Sequence, residues 1–103
     1  MVRIPLGIAL GVVLPLLPTL SLADLTLAQQ KNCMSCHAVS NKVVGPSFES
    51  IAEKYGKQNA SSKLASKIMR GSSRNWGAIS MPPNPQLTPD EAQALVKWIM
   101  SLR

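Results

Sequence analysis

The chain has two cysteines and one histidine, and all three fall in the run Cys33-Met34-Ser35-Cys36-His37. C-x-x-C-H is the spacing of covalent c-type haem attachment. Two thiols three residues apart on a helical turn can reach the two vinyl groups of one porphyrin, and the histidine that follows can swing its imidazole beneath the iron. Other chemistries fit this cluster less well. A redox C-x-x-C of the thioredoxin kind belongs in a βαβ context, whereas this chain has almost no period-2 alternation. A zinc site needs about four ligands, and two cysteines with one histidine fall short. A disulfide between Cys33 and Cys36 closes a very small ring and stabilises little.

With His37 on one side of the iron, the ligand on the other side decides between electron transfer and ligand chemistry. From residue 24 onward the thioether candidates are Met34, Met69, Met81 and Met100. Met34 lies between the two cysteines and is held on the wrong side. Met69 and Met100 fall in helical patterns, where methionine ordinarily fills gaps. Met81 stands in an irregular stretch, SSRNWGAISMPPNPQL, directly before Pro82-Pro83-Asn84. Prolines there fix φ and stiffen the approach of the sulfur.

These residues need elements to hold them. A helix from Leu25 to Asn32 leads directly into Cys33. Ser47 caps a helix whose apolar positions Phe48, Ile51, Ala52 and Tyr55 recur at helical spacing. A third helix spans Ser61 to Arg70, with Leu64, Ala65 and Ile68 on one face and Gly71 as its stop. Thr88-Pro89-Asp90-Glu91 opens the last helix with a capping box, and its apolar face is Ala92, Leu95, Ile99 and Leu102. The expected class is all-α.

Length and composition frame this reading. A chain of 103 residues holds one small domain, and only 4 % of its residues are aromatic. Residues 1–23 carry a single charge, Arg3, then an apolar run, then Ser21-Leu22-Ala23, which reads as an export signal with cleavage after Ala23. The rival is an uncleaved membrane anchor of about 20 residues, although Pro5, Pro15 and Pro18 make a poor continuous helix. A mature domain of residues 24–103 has a thin core. Domains this small ordinarily need a staple, and a haem would serve as a large apolar plate.

The ordered motifs C-M-S-C-H, V-G-P (Val44, Gly45, Pro46), W-G-A-I-S-M-P-P-N (Trp76 to Asn84) and the final DEAQALVKWI helix resemble the short bacterial class I cytochromes c, closest to the periplasmic c-551 type. The resemblance covers residues 24–103. It implies about four helices wrapped around one haem held through Cys33 and Cys36, with His37 and Met81 as axial ligands. It further implies that the Pro46 carbonyl accepts the imidazole N–H, orienting the ring and raising its basicity. Trp76 would donate its indole N–H to a haem propionate, and Asn84 an amide hydrogen to the methionine sulfur. Lys67 would meet a propionate, with Arg70 and Arg74 near enough to substitute. In one respect the chain departs from the family, which often has proline immediately before the axial methionine. Here that position is Ser80, and a missing proline leaves the unfolded loop more entropy to lose, about 0.4–1 kcal/mol.

The function so implied is a soluble periplasmic one-electron carrier and not an enzyme. Donors would be a quinol-oxidising complex or a membrane-bound cytochrome, and acceptors a nitrite reductase or an oxidase. Removal of Arg3 with the signal leaves a net charge of +5, which favours partners with acidic docking surfaces. No interleaving of basic and aromatic residues points to nucleic acid. A monomer without stable membrane insertion after cleavage is expected. An open-iron enzyme or gas binder would need Met81 displaced and a distal acid or base, for which the sequence has no second histidine.

Overall fold

The computed structural model describes residues 20–103, together with Arg3, Gly7 and residues 11–14. Most of the expected export signal therefore lies outside the described residues. Among those described, no helix is long and apolar enough to cross a membrane. The elements are α1 (Leu20–Gln30), a single 3₁₀ turn (Cys33–Ser35), α2 (Phe48–Tyr55), α3 (Ser61–Arg70) and α4 (Pro89–Met100). No strand forms among them, and the only pairings of extended type are the isolated bridges His37–Lys42 and Ser72–Met81.

The helix boundaries follow from local chemistry. Ser47 sits in extended backbone, and its hydroxyl accepts the Ser50 N–H at 3.1 Å, which starts α2. The Thr88 hydroxyl accepts the Glu91 N–H at 3.2 Å, and the Glu91 carboxylate accepts the Thr88 N–H at 3.0 Å. That reciprocal pair satisfies two otherwise orphaned donors and starts α4. Gly71, at φ 82°, ends α3. There a Cβ would lie 2.7 Å from the Met81 carbonyl oxygen, so the stop also needs glycine for closeness. The expected helix from Leu25 to Asn32 is observed as Leu20–Gln30. It ends early because Asn32 takes the left-handed conformation, φ 65°, which asparagine tolerates better than most residues. Cys33 consequently opens a tight 3₁₀ turn and Cys36 caps it, rather than both lying on a continuation of α1.

α4 is the hub. It packs against α1, α2 and α3. Its Leu95, Trp98 and Ile99 join Ala28, Phe48 and Leu87 in one buried cluster, while Ala92 and Val96 join Tyr55, Ala60, Leu64 and Ala65 in another. Each large aliphatic side chain so buried contributes about 1.5–3 kcal/mol. Lys31, just past α1, pairs with Glu91 at 3.2 Å and ties α1 to the start of α4. From α4 the packing reaches the chemistry through a train of rings. Trp98 meets Phe48 edge-on at 5.3 Å, and Phe48 stacks on His37 at 5.0 Å.

Candidate haem site

His37 is 8 % exposed, and its orientation is set from three directions. Phe48 lies along one face of its ring. Its Nδ1 lies 2.7 Å from the Pro46 carbonyl oxygen, so the tautomer that satisfies this contact carries the proton on Nδ1 and leaves Nε2 with a lone pair. Nε2 has no partner among the described residues. Gly45 closes the third side, for a Cβ there would lie 2.6 Å from His37 Cε1. The intervening loop folds back to make this possible, with the Val44 and Gly45 N–H groups both donating to the Cys36 carbonyl at 3.2 and 2.8 Å.

A cavity of about 610 Å³ opens beside this imidazole, a size typical of cofactor pockets. Cys33, Cys36, His37, Pro46, Lys67, Trp76 and Met81 all line it. Apolar side chains from α2, α3 and α4, including Ile51, Leu64, Ile68, Leu95 and Ile99, complete its walls. Both thiols are free and half-buried. Burial pushes the Cys33 thiol above its ordinary value, so it is not the poised thiolate that disulfide exchange requires. Met81 is the one methionine among the described residues on the cavity wall, since Met34, Met69 and Met100 pack against the two apolar clusters instead. Its backbone is held by two hydrogen bonds with Ser72, at 2.8 and 3.0 Å.

The supporting residues divide. The indole N–H of Trp76 has no partner among the described residues, and the side chain is 40 % exposed at the cavity. The Lys67 ammonium donates to the Tyr55 hydroxyl at 3.3 Å and lies 5.2 Å from the centre of its ring. Of the two arginines near enough to replace Lys67, Arg74 lines the cavity and Arg70 does not. Asn84 departs from its expected place. It is off the cavity wall, and its side-chain amide donates to the Ile68 and Pro82 carbonyls at 2.9 and 3.4 Å, while its oxygen accepts from Gln86 at 3.0 Å. The amide hydrogens expected on the methionine sulfur are thus spent on carbonyl oxygens, which are stronger acceptors than a thioether. Two residues that bear on the cavity were missed from sequence, Tyr55 on its wall and Lys54 against the Trp76 ring. Helical spacing marks Tyr55 as core and says nothing of its hydroxyl, and Lys54 carries no local signal at all.

Two free thiols, one oriented imidazole with a lone pair, one thioether and an apolar hollow make a donor set that fits a covalently held haem. Cys33 and Cys36 would form the thioether bonds, and the group supplies a one-electron iron couple when bound. This is the site of a c-type haem protein of the small all-α kind.

Comparison with known proteins agrees. Residues 25–103 match the cytochrome c family, and the chain belongs to it. Cytochrome c-552 of Nitrosomonas europaea is 49 % identical over 82 residues, covering 79 % of this chain and 80 % of that protein. Cytochrome c-551 of Allochromatium vinosum is 43 % identical over 83 residues, covering 80 % and 88 %. The crystal structure of the Nitrosomonas europaea cytochrome c552 superposes with a TM-score of 0.75 at 46 % identity, covering 77 % of this chain and 99 % of that one. The chain is therefore a class I cytochrome c, a small electron carrier with one covalent haem c and not an enzyme.

Proposed function

We propose that this protein is a soluble periplasmic carrier, matured by cleavage after Ala23, that takes electrons from a quinol-oxidising complex or membrane-bound cytochrome. It delivers them to a terminal reductase, with nitrite reductase or an oxidase as the acceptor. His37 and Met81 are its two axial ligands. The observation that carries this reading is the position of Met81 as the sole methionine, among the described residues, on the wall of the cavity that His37 also lines. A thioether opposite an imidazole favours ferrous iron and raises the potential, and both positions filled leave no place for a substrate. Pro46 orients the proximal ring, while Trp76 and Lys67 face the propionates.

The partner reading rests on the mouth of the cavity. Val44, Trp76 and Ile79 line it and are 46, 40 and 68 % exposed. The exposed cations Lys42 and Arg74 stand among them, and exposed Lys54 lies against the Trp76 ring. An apolar contact rimmed by positive charge suits an acidic docking face. The test is made on protein isolated from the periplasm. Its mass should equal residues 24–103 plus one haem that acid acetone does not extract. Its oxidation rate by the terminal reductase should fall as salt rises, because exposed charges are screened over about 10 Å at 0.1 M. A full-length mass, an extractable haem or a salt-independent rate would each contradict part of this reading.

A further inference from the structure

Residues 73–80 form one wall of the cavity, and very little holds that wall in place. No proline stands between Gly71 and Met81, so the backbone has no intrinsic stiffener. Ser72 and Met81 close the base of the loop. Arg74 at φ 62° and Gly77 at φ 107° take left-handed backbone on either side of Trp76. For arginine that conformation is sterically disfavoured, so the surrounding structure must supply the restraint. Among the described residues, only one hydrogen bond joins residues 73–80 to the rest of the molecule. The Lys54 ammonium, at the end of α2, donates to the Asn75 carbonyl at 2.9 Å. The same ammonium lies 4.5 Å from the centre of the Trp76 ring. One cation therefore grips both a peptide carbonyl and the side chain that follows it, which fixes the rotation of the indole as well as the position of the backbone.

We propose that Lys54 is a positioning residue for the haem site. It clamps residues 73–80 onto α2, aims the Trp76 indole into the cavity, and through the short run to Met81 keeps the sulfur in place. The indole part of this proposal rests on the reading of Trp76 as a propionate donor, and the sulfur part on that of Met81 as axial ligand; the clamp itself, read by amide exchange, rests on neither. Lys54 touches no donor atom of the expected ligand set, so it acts through Trp76 and the loop backbone.

The test uses the folded haem protein and three variants. Lys54→Met keeps the stem and removes the charge and donor, Lys54→Arg restores both, and Trp76→Phe keeps the ring but removes the N–H. Imidazole binding to the ferric protein reads how readily Met81 leaves the iron. Amide exchange in residues 72–81, compared with α4, separates a local loosening from a global loss of stability. Lys54→Met should bind imidazole about fivefold more tightly, as expected for losing one exposed charge-assisted contact, and should speed exchange in the loop but not in α4. Lys54→Arg should return both to within about twofold of the parent. Wild-type imidazole affinity and loop exchange in Lys54→Met would overturn the proposal, as would equal acceleration in α4. Trp76→Phe examines the propionate reading separately. If that reading is wrong, Trp76→Phe leaves the pH dependence of the reduction potential unchanged while Lys54→Met still loosens the loop.

Discussion

At the scale of single residues, the site depends on atoms that are absent as much as on atoms present. Gly45 is the clearest case, since any side chain there enters the space of the His37 ring. Gly45→Ala should push the imidazole off the Pro46 carbonyl and destabilise the haem protein by about 1–3 kcal/mol, the usual cost of overpacking a filled site. Thermal unfolding followed in the Soret band checks this, and an unchanged Tm would contradict it. The sequence points to Cys33, Cys36, His37 and Met81 because their chemistry is local to short motifs, and the structure brings all four to one cavity. Asn84 was assigned a partner that the structure does not give it. Sequence proximity to Met81 suggested the sulfur, but α3 brings the Ile68 carbonyl to 2.9 Å, a longer-range competitor that no spacing argument contains. Lys54 was passed over for the same reason, because its partner carbonyl lies 21 residues away.

At the scale of elements, α2, α3 and α4 were legible because each carries its own start or stop signal. Ser47, Gly71 and the Thr88–Glu91 box are observed at the boundaries they mark. The end of α1 lies two residues before the expected one, since asparagine can either continue a helix or take the left-handed stop, and Asn32 takes the stop. The junction of α1 and α4 gives a pH-dependent prediction. The Thr88 backbone N–H, and after it the Lys31 ammonium, hold the Glu91 carboxyl below its ordinary value of 4.5. A carboxyl depressed in the folded state adds stability that is present above its unfolded value and is lost as pH falls through the lower folded value. Glu91→Gln should therefore lower Tm at neutral pH yet lose less of it on acidification below 4.5 than the parent does. Parallel Tm curves for the two proteins through that range would contradict the assignment.

At the scale of the whole molecule, four helices too poor in aromatics to make a thick core close around a hollow instead of filling it. α4 supplies the support, and its ring train from Trp98 through Phe48 to His37 makes the position of the proximal imidazole a property of the global packing. Another wall is a loop for which Lys54 supplies, among the described residues, the single polar tie. Such an arrangement suits a carrier whose ligands stay put as the charge on iron changes, and it puts the burden on Met81. Carbon monoxide binding by the reduced Met81→Ala protein, with Met69→Ala and Met100→Ala as controls, tests this most directly. Two thioether bonds and His37 would still hold the haem in that variant, so the fold should survive. The expected result is carbon monoxide binding and a lowered reduction potential in Met81→Ala alone. Opening of the iron in either control, with Met81→Ala still closed to carbon monoxide, would contradict it.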